Sequence, residues 1–130
     1  MPHYFTLEEA EALLPRLRVV LREIQQERQK LREAEDELVV VHGQARGNGH
    51  HLQVQMAQIH DSITRHMERL ANLVGQVQVL GCELKDPDMG LVDFLSLRDG
   101  REIYLCWRLE EDHIGFWHYT STGFAGREPL

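Results

Sequence analysis

The sequence has too few cysteines for a disulfide scaffold and too little positive charge for a nucleic-acid-binding protein. Its 130 residues include two cysteines, Cys82 and Cys106, and carry a net charge of −7. A disulfide-rich domain needs more cysteines, and a zinc ribbon needs a CxxC pair. No segment is strongly basic, so the attraction that drives nucleic-acid binding is missing. Because an acidic surface also disfavours anionic membranes, we expect neither nucleic acid nor a membrane as a partner.

Long hydrophobic runs are also lacking. No stretch of about 18 apolar residues occurs, so the sequence predicts no transmembrane helix. The first residues, MPHYFTLEEAEALL, lack the basic region and the continuous apolar run of a signal peptide. We therefore expect a cytoplasmic protein with reduced thiols. A hydrophobic content of 42% and a charged content of 27% are typical of a globular protein, and the length predicts a single domain over residues 1–130.

The first long segment predicts a helix over residues 7–41. Thr6 and Glu9 have the spacing of a capping box, which marks a helix start. Pro15 lies inside this helix, where it removes a backbone donor and clashes with the preceding turn. We therefore expect a kink or a short break near residues 13–14.

A second helix is predicted over residues 51–80, after a glycine-rich loop at residues 42–51. Gly81 is suited to end it. In the first helix the apolar positions recur in steps of three and four, with charged interruptions at Arg28 and Glu35. These recurring positions form the predicted seam between the helices. In the second helix they are Leu52, Met56, Ile59, Ile63, His66, Leu70, Leu73, Val77 and Leu80. Two helices joined by a short loop form an antiparallel hairpin.

The apolar stripe along this hairpin is narrow near the loop and broad at the opposite end, the base. The residues that widen it are Leu13, Val19, Val20, Val74 and Val79. A broad stripe needs more than one partner to cover it. We therefore expect the rest of the chain to pack on the base and a second copy to complete a homodimer. The tip is expected to project.

Three short β-like runs follow the helices, at residues 91–97, 102–109 and 114–119. Asp99 and Gly100 form a strong two-residue hairpin signal between the first two runs. A small sheet of this kind needs a helix beneath it. The sequence therefore predicts an α+β fold, in which a three-stranded antiparallel meander over residues 91–119 packs at the base of a long antiparallel helical hairpin. Residues 120–130 are expected to form an ordered tail.

The predicted sheet places chemically active side chains close together. Residues equidistant from the Asp99–Gly100 turn face each other, so Asp93 lies opposite Cys106, with Cβ atoms about 5 Å apart. His118 on the third strand joins them only if the second turn contains a bulge. A regular four-residue turn puts His118 on the other face.

Three interpretations of these residues are open. A carboxylate, a thiolate and an imidazole suit a divalent metal such as zinc. A thiol beside a base also suits nucleophilic catalysis. The third interpretation is a purely structural strand pair with a surface histidine.

A second candidate site combines arginines with aromatic rings. Arginine can clamp a carboxylate or phosphate, and aromatic side chains can wall a pocket. The candidate ligand-binding residues are Arg101, Arg108, Trp117 and Arg127. The alternative is that the aromatics are core residues with solvated arginines at their rim.

The remaining histidines predict no catalytic site. His66 occupies a seam position without the E-x-x-H pattern of a di-metal bundle. His42, His50 and His51 cluster in the predicted loop, where any metal binding would be incidental.

The two ends of the chain resemble a known family. The segments FTLEEAEALLPRLR and LKDPDMGLVDF…GREIYLCWRLEEDHIGFWHYTSTGFAGREPL are similar to the prokaryotic family catalogued as domain of unknown function 2203. The resemblance covers nearly the whole chain. The chain departs from it at residues 110–113 (EEDH), where members often have a turn of the Gly-Glu-Pro type. The resemblance implies no established activity.

Two functions therefore fit the sequence. One is a non-enzymatic interaction or structural module that self-associates through its helices and whose projecting hairpin binds a protein partner. The other is a small-molecule or divalent-metal site on the C-terminal sheet, with hydrolysis as a further option. The two differ in whether side chains converge beside the sheet.

Overall fold

The computed structural model of the protein describes residues 2–44 and 49–130. Helix α1 spans Leu7–Gln44 and helix α2 spans Gly49–Val79. Four strands and a 3₁₀ turn follow, and a fifth, two-residue strand ends the chain. They are β1 (Glu83–Asp86), β2 (Leu91–Arg98), β3 (Arg101–Arg108), β4 (Phe116–Tyr119), the 3₁₀ turn (Phe124–Gly126) and β5 (Glu128–Pro129). None of the described helices is long and apolar enough to cross a membrane.

Helix α1 begins at the predicted capping box. The Glu9 backbone N–H donates to Thr6 Oγ1 at 3.1 Å, and the Thr6 N–H donates to Glu9 Oε1 at 3.1 Å. The helix continues through Pro15, so the predicted break is wrong, while the predicted kink stays a prediction. Buried Leu14 and Leu17 flank the proline, and their packing holds the helix together where one backbone hydrogen bond is lost.

The glycine-rich loop is shorter than predicted. Residues 42–44 end α1 and residues 49–51 begin α2, while the centre of the predicted loop lies outside the described residues. At the other end of α2, Gly81 has φ +92°, as a glycine that follows a helix commonly does.

The two helices pack along a common seam. Every predicted seam position of α2 is at least partly buried. In α1 the predicted seam holds from Ala10 to Ile24 and again at Leu31 and Leu38, which are partly buried. It is wrong at the two charged positions, because Glu27 and Ala34 are buried, whereas Glu35 is exposed and Arg28 is only partly buried. The helix keeps its heptad spacing, and a single charge, that of Glu27, enters the seam.

The sheet is antiparallel throughout and has the strand order β1-β2-β3-β4-β5. It therefore has five strands, and the predicted count of three was too low. Strand β1 pairs with β2, and the two residues of β5 pair with Phe116 and Trp117. Neither strand has a detectable pattern, because β1 (ELKD) is mostly charged and β5 contains a proline.

The turn between β2 and β3 follows the prediction. Asp99 and Gly100 have φ of +52° and +77°, the left-handed pair of a two-residue hairpin. The register places Asp93 opposite Cys106 and Arg98 opposite Arg101.

One face of the sheet packs on the base of the helices. Trp107 and Phe94 are its largest fully buried residues, and they share one core with Leu17 and Leu21 of α1 and Val77 of α2. Because side chains alternate along a strand, Asp93 and Cys106 point to the opposite, outer face.

Helix α1 also holds the turns of the sheet. The Arg28 guanidinium donates to the Asp88 carboxylate at 2.9 Å and lowers the pKa of that group. Glu11 accepts the backbone N–H of Ile114 at 2.8 Å, immediately before β4. The hairpin therefore positions both ends of the meander.

Candidate metal centre

Three adjacent strands bring Asp93, Cys106 and His118 to the outer face of the sheet. Asp93 on β2 is the register partner of Cys106 on β3. On the other side of β3, His118 pairs with Tyr104 and Phe116 pairs with Cys106. Since paired residues share a face, all of these side chains lie on the same side.

The length of the second turn decides where His118 points. The last observed pair is Cys106 and Phe116, and continuing this register toward the turn leaves five residues, 109–113, rather than the four of a regular turn. Inside this turn the Arg108 backbone N–H donates to Glu111 Oε1, and Trp107 Nε1 donates to the Glu111 carbonyl, at 2.8 and 2.9 Å. The extra residue turns His118 to the face of Cys106.

The three side chains converge tightly and are closed off from solvent. One potential ligand atom from each of Asp93, Cys106 and His118 lies within 4.8 Å of the other two, the only such group of three among the described residues. His118 Nε2 lies 3.0 Å from Asp93 Oδ2. The exposed fractions of the three residues are 3%, 0% and 2% in chain order.

The other ring nitrogen of His118 is held by the backbone. Nδ1 lies 2.8 Å from the Tyr119 carbonyl oxygen, which only accepts hydrogen bonds. The Nδ1–H therefore donates to that oxygen, and the 3.0 Å contact between Nε2 and Asp93 Oδ2 is a second hydrogen bond, whose proton lies between the imidazole and the carboxyl group. Histidines that bind metals are typically oriented in this way, by a hydrogen bond from the nitrogen that does not bind the metal.

Asp93 is under-satisfied in its buried position. Its Oδ1 has no hydrogen-bond partner among the described residues. Burial raises the pKa of this carboxyl, and His118, Cys106 and Lys85 oppose the rise. A buried carboxylate oxygen without a partner is costly, and a cation would remove that cost.

The thiol of Cys106 is strongly disfavoured as a thiolate. Burial, followed by the charge of Asp93, raises its pKa to about 12, although Arg127 acts in the opposite direction. A nucleophilic cysteine needs a lowered pKa and access to substrate. Cys106 has neither, and Nε2 of the nearby imidazole faces the carboxylate. The geometry therefore favours a metal ligand over a nucleophile.

The donor set fits a zinc-like divalent cation. Zinc takes thiolate, imidazole and carboxylate ligands, and sites with three protein ligands leave the fourth position for water or another ligand. A divalent charge would balance one carboxylate and one thiolate. It would also lower the thiol pKa, because the metal competes with the proton for the sulfur.

The arginine and aromatic candidates do not form one site. Arg108 and Arg127 both lie near Phe124 on the outer face, and their guanidinium carbons are 6.0 and 4.5 Å from the centroid of its ring. Trp117 belongs to the core, as the alternative interpretation held, and Arg101 is exposed and stacks on Tyr119 at 4.8 Å.

Sequence reasoning missed several residues around the cluster. Glu111 organises the second turn and pairs with Arg127 at 3.2 Å. Lys85 lies 5.2 Å from the Tyr104 ring, and Glu83, the register partner of Asp93, raises the pKa of Tyr104 to about 12. For Glu111 the one signal was the departure from the family pattern at residues 110–113, whereas Glu83 and Lys85 lie in strand β1, which has no detectable pattern.

The other histidines lie away from this cluster. His66 contacts Glu27 of α1, and His50 and His51 are exposed in the first turn of α2.

Comparison with known proteins gives a family and no function. A family model described as an uncharacterized conserved protein (DUF2203) matches residues 3–130. No curated protein and no solved structure matches the chain. Since the match extends over almost the entire sequence, the protein belongs to the DUF2203 family.

Proposed function

We propose that this protein binds one zinc-like divalent cation through Asp93, Cys106 and His118. The observation that carries the proposal is the convergence of three ligand atoms of different chemistry within 4.8 Å in a closed site. Each ligand comes from a different strand, so the cation would link β2, β3 and β4. Such a link stabilises a small sheet, because the free energy of metal binding adds to the free energy of folding.

Two further contacts support this proposal. The Tyr119 carbonyl fixes the imidazole so that Nε2 is the nitrogen turned toward Asp93, where a cation would replace the proton between them. The unpartnered Asp93 Oδ1 supplies a second carboxylate oxygen with no competing donor in the described structure. Both cysteines are free thiols, which accords with the cytoplasm that we propose as the location.

Metal analysis of untagged protein tests this function. We expect one equivalent of zinc, and after replacement by cobalt a sulfur-to-metal charge-transfer band in the near ultraviolet. Cys106→Ser should abolish the band, and His118→Gln should weaken zinc binding at least about tenfold. Cys82→Ser is the matched control, because Cys82 is also buried but its sulfur faces the Val77 carbonyl at 3.6 Å.

The outcomes separate clearly. If the wild-type protein takes up no metal and its unfolding temperature does not respond to zinc, the proposal is wrong. It is also wrong if Cys82→Ser removes the charge-transfer band while Cys106→Ser retains it.

A second candidate function is self-association through the base of the hairpin. Val79 is 86% exposed at the end of α2, and it borders a groove of about 300 Å³ with Val20 and Leu80. Apolar side chains in such a position favour a protein partner, and we propose a second copy of the chain.

Sedimentation at micromolar concentration tests the dimer. The wild type should sediment as a dimer and Val79→Glu as a monomer. Val40→Glu is the control, because Val40 is 59% exposed but lies near the tip. A monomeric wild type would contradict this second proposal without affecting the first.

A further inference from the structure

We propose that the C-terminal tail, residues 121–130, is a cover that lifts to admit the cation, with Phe124 and Arg127 as its anchors. The passage of a cation rests on the proposed function. The lifting of the tail does not, and it can be measured in metal-free protein.

The closed geometry of the metal centre requires such a movement. Asp93, Cys106 and His118 are each at most 3% exposed, so an ion cannot reach them while the surroundings stay in place. Beneath them lie β2, β3 and β4, whose other face packs on the helices in the main core. Moving these strands would disrupt the fold.

Arg127 fastens the tail next to Cys106. Its guanidinium carbon lies 4.0 Å from the centroid of Phe116, the residue directly opposite Cys106 on β4. It also stacks on Phe124 at 4.5 Å and pairs with Glu111 at 3.2 Å. The same guanidinium opposes the rise that burial causes in the pKa of the Cys106 thiol. The tail therefore covers the thiol side of the cluster.

Beyond these anchors the tail is weakly attached. Its only strand, Glu128–Pro129, is two residues long, and the Leu130 N–H donates to the Gly115 carbonyl at 2.9 Å. Within residues 121–130 only Gly123, Phe124 and Arg127 are partly buried. Segments with few buried side chains open at low free-energy cost, so the tail can open without disturbing the core.

Alkylation of Cys106 by iodoacetamide measures this opening. In metal-free Cys82→Ser protein, Cys106 is the only thiol. We expect Phe124→Ala and Arg127→Met each to raise the alkylation rate at least about tenfold, a factor that matches the loss of a stacked and ion-paired anchor. Arg101→Met is the matched control, because Arg101 also stacks on an aromatic ring, that of Tyr119, but lies at the far end of β3.

Denaturant distinguishes lifting from unfolding. Lifting exposes little surface, so the alkylation rate should be nearly independent of low urea concentrations, whereas global unfolding gives a steep dependence. A steep dependence in the wild-type background, or equal rates in the anchor variants and in Arg101→Met, overturns the cover.

Zinc release to excess chelator provides the second readout. It should be faster in Phe124→Ala and Arg127→Met than in Arg101→Met. If wild-type protein binds no zinc, the proposed function fails and the alkylation comparison still decides the cover. If zinc binds and neither its release nor alkylation responds to the anchor variants, the cover alone is overturned.

Discussion

The carboxylate of Glu27 on α1 contacts Nδ1 of His66 on α2 across the middle of the helical seam. Glu27 is only 3% exposed, and the side chains of Arg69 and Lys30 lie farther away, at 3.7 and 4.0 Å from Oε2. A charge buried between two helices is tolerated only when it is paired.

Removing the histidine should therefore destabilise the hairpin. His66→Leu leaves the Glu27 carboxylate without its nearest partner, and we expect a loss of about 2–3 kcal/mol in the free energy of unfolding, since His66 is partly exposed and two cations remain nearby. The double variant Glu27→Leu/His66→Leu should be at least as stable as the wild type, because the seam becomes apolar. Urea unfolding measures both.

The control for this pair is Glu23→Leu, which changes an exposed glutamate of the same helix. Its effect should stay within about 0.5 kcal/mol. A His66→Leu variant as stable as Glu23→Leu would show that the contact contributes nothing, and a double variant less stable than His66→Leu would show that the charge is required.

Gly90 should be the least replaceable glycine of the sheet. It has φ +67°, and a Cβ there would lie 2.6 Å from Cβ of Leu109. Gly100 also has positive φ, +77°, but a Cβ there would meet open space. We expect Gly100→Ala to cost about 1 kcal/mol from backbone strain alone, and Gly90→Ala about 3 kcal/mol because overpacking is added.

Gly90 immediately precedes β2, so the clash should also disturb the proposed metal centre, which begins three residues further on at Asp93. Zinc affinity measured in the two variants would check this. Equal costs of unfolding for Gly90→Ala and Gly100→Ala would contradict the overpacking argument.

The helices and the first hairpin were predictable because their signals are local. The Thr6–Glu9 spacing and the Asp99–Gly100 dipeptide each specify a structure within a few residues, and this also fixed the Asp93–Cys106 register. The position of His118 was not predictable, because the face of the sheet on which it lies depends on whether the preceding turn has four or five residues. That length is set by Glu111, whose contacts to the turn exist only in the folded chain.

Long-range pairing also explains the other errors. Two seam positions of α1 were wrong because Glu27 is a charged residue in a buried position, and its partner His66 lies on the other helix. Strand β1 forms because it pairs with the edge of β2, and no pattern in its four mostly charged residues predicts this pairing.

The substitution Asp93→Asn should have opposite effects in metal-free and zinc-saturated protein. Burial raises the pKa of Asp93, so the folded metal-free protein holds this proton more tightly than the unfolded chain does. The stability from this group is complete below the ordinary pKa of an aspartate and is lost as pH rises through the raised value. Asparagine stays neutral, so in chelator Asp93→Asn should gain stability relative to the wild type as pH rises, and the difference should vanish in acid.

If the proposed function is right, the sign reverses in saturating zinc, because a bound cation favours the carboxylate and stabilises only the state that binds it. Asp93→Asn should then unfold at a lower temperature than the wild type at neutral pH. Asp61→Asn, at an exposed position of α2, controls for the change in net charge. Thermal unfolding measured from acid to pH 8, with chelator and with zinc, shows in each case whether Asp93→Asn is more or less stable than the wild type. If Asp93→Asn responds to zinc as the wild type does, Asp93 is not a ligand. If in chelator it loses stability relative to the wild type as pH rises, the ionised Asp93 carboxylate is stabilised by its neighbours without any metal.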